Sequence, residues 1–152
     1  MNKTLLAAAA FLLAGGLAIY WNWTQSAAPT AGHSMEPPDT SDIEMGAAIA
    51  KVSLPAELSP EAQIGKRVFE AKCAACHGAN AAGQNDVAPP LVHKIYEPSH
   101  HSDVAFLRAA KNGVRAHHWD FGNMPPITGL TDADVKMIAR YVRELQAANG
   151  IF

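Results

Sequence analysis

The segment Cys73-Ala74-Ala75-Cys76-His77 carries more information than any other part of this sequence. Residues three apart on a helical turn share one face, so both thiols can reach one flat object lying beside that face. The histidine that follows can turn its imidazole toward the centre of the same object. This geometry suits a haem that is attached by thioether bonds to its two vinyl groups and ligated at its iron from one side.

Three other uses of the cysteine pair are open. A structural zinc site needs two more thiolate or imidazole ligands at matching spacing, and the chain has only two cysteines. A thioredoxin-like redox pair follows a strand in a βαβ unit, a pattern that this sequence lacks. The third possibility is a chance spacing of two inert thiols. The sequence upstream favours haem, because it predicts export and covalent haem attachment is typically an export-side process.

Length and charge limit the class of protein. The chain has 152 residues and a net charge of −2 with neutral histidines, which permits one small domain with a short extension. Only about 90 residues have a globular composition, which is few for a stable fold without a staple or cofactor. A bound haem would supply the missing core. The near-neutral charge gives no reason to expect nucleic-acid binding.

The first 59 residues form two segments of different composition. Residues 1–23 have a basic start at Lys3, an uncharged stretch of about 20 residues and three aromatic residues at its end, which predicts a signal-anchor transmembrane helix. A cleaved signal peptide is the alternative. Residues 24–59 are rich in proline and acid, which predicts a flexible tether. Within it, residues 42–51 could form a helical turn or two.

Residues 60–149 are predicted to form one all-α domain. Ser59-Pro60-Glu61-Ala62 combines an N-cap serine, a proline at the first helical position and an acid in the first turn, so a helix begins there. Thr131-Asp132-Ala133-Asp134 predicts a second helix that opens with a capping box. A shorter helix is expected from Ser102 to Asn112. No segment shows the sustained alternation that indicates a strand.

A candidate sixth ligand for the iron lies in Gly122-Asn123-Met124-Pro125-Pro126-Ile127. The methionine thioether is a soft, weak iron ligand, and two prolines would hold the loop rigid at small entropic cost. The alternative is that Met124 packs in the core. Its rigid loop makes it the favoured partner of His77 on the iron.

From about Pro60 to Leu145 the chain resembles a class I cytochrome c, of the small bacterial membrane-anchored type with one haem. Gly65, Phe69 and Cys73 fall four residues apart, as in the first helix of that family. Ile138 and Tyr141 are similar to the pair on its last helix that packs across the glycine. The resemblance implies the cytochrome c fold, in which the N- and C-terminal helices cross around one covalently bound haem c.

The resemblance also implies a set of haem-binding residues. Pro89-Pro90-Leu91 is similar to the family's P-x-L element, which suggests that the Pro89 carbonyl accepts the Nδ1 proton of His77. The expected iron ligands are His77 and Met124. The full set of expected haem-binding residues is Cys73, Cys76, His77, Pro89 and Met124.

The function implied is electron transfer without catalysis. We expect a monomeric carrier, held by one transmembrane helix in the bacterial inner membrane with its haem domain in the periplasm. It would move electrons from a donor such as a cytochrome bc complex to a terminal oxidase or reductase. Two alternatives stay open: a haem subunit fixed in an oxidase or dehydrogenase complex, and a ligand-binding or peroxidatic haem domain with a labile Met124.

The remaining histidines include two adjacent pairs, His100-His101 and His117-His118. Their simplest interpretation is as exposed polar residues of loops. They could instead bind copper, form a pH-sensitive surface, or supply a sixth iron ligand in place of Met124.

Overall fold

The structure, a computed structural model, describes residues 12–21 and 35–152. The chain divides into two units at residue 34, and residues 12–21 of the first unit are helical. Within the described residues, no helix has both the length and the apolar character needed to cross a membrane. Most of the predicted anchor over residues 1–23 lies outside the described residues, so this helix stays a prediction.

The second unit, residues 35–152, is built from helices and irregular loops. Its α-helices are α1 (Pro60–Lys72), α2 (Ala74–His77), α3 (Asp103–Asn112) and α4 (Asp132–Ala148), and two short 3₁₀ turns cover Ala79–Ala81 and Lys94–Tyr96. In the described part of the chain, β-type pairing is limited to two isolated bridges. The predicted all-α class is therefore confirmed for these residues.

Local capping chemistry sets where the two long helices begin. The Ser59 hydroxyl accepts a hydrogen bond from Ala62 N at 3.2 Å and so caps α1. Thr131 and Asp134 form a reciprocal capping box at the start of α4, with bonds of 3.2 and 2.8 Å between each backbone N–H and the other side chain. Both predicted starts are confirmed. Ser102 precedes α3 as predicted, but its side chain makes no capping bond.

The helices α1 and α4 pack against each other at Gly65. A Cβ atom at Gly65 would overlap the carbonyl oxygen of Met137 and lie 3.0 Å from Ile138 N, so only glycine permits this approach. Beside this contact, the rings of Phe69 and Tyr141 are fully buried and their centroids lie 5.6 Å apart. The close helix pair that was expected at this glycine is present, and both helices contribute side chains to the hydrophobic core of the domain.

The segment ahead of α1 differs from the predicted flexible tether. The buried side chain of Asn85 donates to the carbonyl of Ile43 at 2.7 Å, while its backbone N–H donates to Ala47 O at 2.9 Å. Farther along, Ser53 and Asn149 exchange two hydrogen bonds of 2.9 and 2.8 Å. Residues 40–59 therefore follow the surface of the domain as an irregular segment that hydrogen bonds hold at several points. They form turns and no helix, and residues 24–34 lie outside the described part.

Candidate functional site

The cysteine motif occupies a short helical turn directly after α1. The helix α1 ends at Lys72, Cys73 forms the junction, and its carbonyl accepts hydrogen bonds from Cys76 N at 3.1 Å and His77 N at 2.9 Å. No disulfide joins the two cysteines; Cys73 is half-buried and Cys76 is exposed. The turn thus brings two thiols and one imidazole together, within five consecutive residues.

Burial sets the protonation state of the first thiol. Loss of hydration raises the pKa of Cys73 to about 11, and the neighbouring Cys76 adds to this rise. The Cys73 sulfur is therefore a protonated thiol at neutral pH. A protonated, partly enclosed sulfur is chemically quiet toward solution oxidants, because the thiolate is the reactive form.

His77 is held in one orientation and one tautomer. It is the one buried histidine among the described residues, and its Nδ1 lies 2.9 Å from the carbonyl oxygen of Pro89. Because a carbonyl can only accept, Nδ1 carries the proton and the lone pair is left on Nε2. Burial lowers the pKa of His77, and the Pro89 contact offsets part of this effect. A neutral imidazole with a free Nε2 is the form that binds metals.

Two glycines bring the His77 turn against the Pro89 segment. Gly78 and Gly83 both have positive φ angles, of 71° and 74°. A Cβ at Gly83 would lie 2.5 Å from Pro90 N, and one at Gly78 would lie 2.7 Å from Gly83 O. The hydrogen bond from Gly83 N to His77 O, at 2.8 Å, closes the loop. This close backbone contact is what places the Pro89 carbonyl beside the imidazole.

Gln84 is a residue of the site that the sequence did not reveal. Its side-chain amide donates to the carbonyls of Ala75 and Cys76 at 2.9 and 3.0 Å. These carbonyls belong to the short α2 helix, whose last carbonyls have no partner within the helix. Gln84 therefore fixes the second cysteine, and no local pattern in the sequence marks it.

Met124 lies on a separate loop that is fixed by its backbone. Met124 and Val114 exchange two hydrogen bonds of 2.9 Å, and the side chain of Asn123 accepts from Ala116 N at 2.9 Å. Gly113 begins this loop with a φ of 74°, and a Cβ there would lie 2.5 Å from Met124 O. The structure therefore joins His77 to Pro89 directly, and holds Met124 through two backbone hydrogen bonds to Val114, in a loop that contacts α3 where Ile127 N donates to Ala110 O.

A buried polar atom near this loop fits a bound haem. The indole of Trp119 is buried, and its Nε1 makes no hydrogen bond of ordinary geometry among the described residues, although the Tyr96 hydroxyl lies near enough to interact with it. Leaving such a donor unpaired costs about 1–3 kcal/mol. The two propionate carboxylates of a haem are acceptors that could pair it. With two thiols, an oriented imidazole and a thioether also present, the donor set suits haem c.

Comparisons with known proteins agree with this chemistry. The family model described as cytochrome c matches residues 62–146. The cbb3-type cytochrome c oxidase subunit CcoP of Rubrivivax gelatinosus is 35% identical over 134 residues, which cover 84% of this chain and 40% of that subunit. The subunit FixP of Bradyrhizobium sp. (strain ORS 278) is 37% identical over 94 residues, or 60% of this chain and 30% of FixP.

A third relative matches a shorter part of the chain. Cytochrome c6 of Cyanidioschyzon merolae (strain NIES-3377 / 10D) is 35% identical over 81 residues, which cover 51% of this chain and 68% of that protein. The chain thus spans about two thirds of this cytochrome c6, but less than half the length of the oxidase subunits that it matches.

Proposed function

Because the chain belongs to the cytochrome c family, we propose that it is an electron carrier whose iron is held between His77 and Met124. The family match and the named relatives support a covalently bound haem c and haem-based electron transfer for this chain. The bound haem supplies a one-electron couple at its iron. The observation that carries the ligand assignment is the 2.9 Å contact from His77 Nδ1 to the Pro89 carbonyl, which leaves Nε2 free toward a metal.

The roles of the site residues follow from their environment. Cys73 and Cys76 would hold the haem through thioether bonds to its two vinyl-derived positions. His77 keeps its tautomer because the Pro89 carbonyl fixes the Nδ1 proton. Met124 is supplied from the hairpin that Val114 closes, so its sulfur is presented by a backbone with little freedom to move.

A rigid ligand pair suits electron transfer. If His77 and Met124 stay bound in both oxidation states, little bond rearrangement accompanies the gain or loss of an electron. A sixth ligand also keeps oxygen and peroxide from the iron, so the proposed role is that of a carrier and not of an enzyme. Methionine favours the ferrous form relative to a second histidine, which gives a comparatively high reduction potential.

We place this carrier in the periplasm, tethered to the inner membrane. The support is the sequence of residues 1–23, with its basic start and about 20 uncharged residues. Since residues 40–59 pack on the domain, residues 24–34 are the core of the proposed tether, with an expected reach of roughly 17–20 Å. The partners would be a donor such as a cytochrome bc complex and a terminal oxidase or reductase.

Absorption spectra of the matured full-length protein, oxidised and reduced, test this proposal. Two thioether bonds shift the α-band of the reduced form, and a sulfur ligand gives a weak far-red band in the oxidised form. We expect both features at neutral pH. An oxidised spectrum of two histidines on iron, without the far-red band, would contradict the assignment of Met124.

A second candidate function is that of a fixed subunit in an oxidase complex. The similarity to the oxidase subunit CcoP covers 134 residues, well beyond the 62–146 region that the family model matches. Purification of the untagged protein in mild detergent separates the two roles. A carrier is recovered mainly free of other proteins, whereas a subunit is recovered with a larger partner in constant proportion.

A further inference from the structure

The structure brings two distant pairs of histidines into one cluster. His100 and His101 follow the second 3₁₀ turn, and His117 and His118 lie in the loop before Met124. The ring centroids are 4.6 Å apart for His100 and His101, and 4.4 Å apart for His117 and His118. Between the pairs, His118 lies 5.3 Å from His100 and 5.5 Å from His101. Four imidazoles thus share one patch of surface, separate from the cysteine motif.

We propose that His100, His101 and His118 form a binding site for a divalent transition-metal ion that prefers imidazole ligands, with Zn²⁺ as the best geometric match. One ring nitrogen from each of the three lies within 4.8 Å of the others. Imidazole nitrogen is a preferred ligand of zinc and copper, whereas magnesium and calcium prefer oxygen. Three imidazoles therefore favour zinc or copper over magnesium or calcium.

One distance in the cluster is close to that of a zinc centre. The Nε2 atoms of His100 and His118 lie 3.3 Å apart. Two nitrogens bound to one tetrahedral ion at about 2.0–2.1 Å are separated by about 3.3–3.4 Å. These two rings therefore need little movement to share an ion. Without a bound ion, a hydrogen bond in which one of the two Nε2 atoms donates its proton to the other accounts for this distance.

In His101 and His117, the Nδ1 atom is bonded as it is in many metal-bound histidines. His101 Nδ1 lies 2.7 Å from the carbonyl oxygen of Ile95, so Nδ1 donates and Nε2 keeps its lone pair. His117 Nδ1 lies 2.9 Å from the Arg115 carbonyl in the same manner. A backbone carbonyl on the second nitrogen orients a ligating imidazole and raises its basicity. His117 is the nearest candidate for a fourth ligand.

The supporting backbone holds the cluster in place before any ion binds. His100 N and His101 N both donate to the Glu97 carbonyl, at 3.1 and 2.8 Å, and the guanidinium of Arg143 binds the His101 carbonyl. On the other loop, His118 is followed directly by Trp119, whose buried side chain anchors the loop at this point. A preformed site loses little conformational entropy when it binds its ion.

The surroundings of His101 and His118 lower the pKa of both imidazoles. Burial lowers the pKa of His101, against the opposing effect of the Ile95 carbonyl, and the neighbouring histidines lower it further. Burial likewise lowers the pKa of His118, with His117 and His100 adding to the effect and the Met35 carbonyl opposing it. Neutral imidazole is the metal-binding form, so little proton release opposes binding at neutral pH.

Calorimetric titration with Zn²⁺ tests the site. Untagged full-length protein with its haem attached is freed of metal with a chelator, which is then removed. We expect one Zn²⁺ per chain with a dissociation constant in the micromolar range or tighter, about −8 kcal/mol or more of binding free energy. The double variant His100→Gln/His118→Gln should bind at least about 30-fold more weakly, since it loses two of three ligands.

His93→Asn is the matched control. It also removes one imidazole, but one outside the trio, and it retains a side-chain acceptor for Ile95 N, which His93 Nδ1 accepts at 3.2 Å. We expect this variant to bind Zn²⁺ as the wild type does, with the haem spectra of all three proteins unchanged. Absence of saturable binding in the wild type, or equal weakening in both variants, would overturn the proposal. These outcomes leave the electron-transfer assignment untouched.

Discussion

Replacing Gly65 with alanine is expected to lower the free energy of unfolding by about 3 kcal/mol, the upper end of the range for overpacked cores. The new Cβ would overlap the backbone carbonyl of Met137, and no side-chain rotation can relieve a clash with backbone. α1 and α4 must therefore separate, which loosens the packing of Phe69 on Tyr141. For a domain of this size the melting temperature should fall by roughly 10–20 °C. Thermal unfolding followed by helical circular dichroism measures the change.

Ile64→Ala is the control for this substitution. It changes the adjacent position of the same helix, where the side chain is 44% exposed, so we expect a change within about 0.5 kcal/mol. Alanine in place of glycine would otherwise stabilise a helix by about 0.5–1 kcal/mol. A Gly65→Ala protein as stable as the wild type would show that the two helices do not need this close approach.

Replacing Met124 with alanine is expected to change the iron centre with little loss of fold. The far-red band of the oxidised protein should disappear, because alanine offers no sulfur. The reduction potential should fall by on the order of 0.1 V, part of the roughly 0.8 V range that axial ligands span in haem proteins. The two hydrogen bonds between residues 114 and 124 use backbone atoms, so the hairpin is retained. Redox titration and oxidised-state spectra measure both effects.

Met45→Ala is the matched control for Met124. Its side chain is 78% exposed, so this substitution removes a thioether from the surface of the domain. We expect its spectrum and potential to equal those of the wild type. If Met124→Ala kept the far-red band and its potential, the sulfur ligand would have to come from elsewhere in the chain.

Features set by short-range chemistry could be predicted from the sequence. Ser59 and Thr131 cap their helices through side-chain bonds that span only three residues, and such local pairing follows from residue type and spacing. The cysteine motif is equally local, because five consecutive residues determine its turn. The close approach at Gly65 was expected from the family resemblance, and the structure identifies the Met137 backbone as its partner.

Features set by distant contacts could not be predicted. Residues 40–59 have the composition of a tether, yet Asn85 pairs with Ile43 across 42 positions and Asn149 pairs with Ser53 across 96. Composition reports only whether a segment can fold alone, and this one is held by polar side chains from elsewhere. Both histidine pairs were recognised in the sequence as possible copper ligands, but their meeting was not predicted, since His100 and His118 are 18 positions apart and come together only when two loops fold side by side.

The central claim is that His77 and Met124 together leave the iron no open position. Carbon monoxide binds reduced haem iron only where a position is free or a ligand dissociates. The most direct test is therefore to add carbon monoxide to the reduced full-length protein at neutral pH and follow its visible spectrum. We expect the spectrum to stay unchanged over minutes; prompt formation of a carbon monoxide complex would show that the iron has an open position.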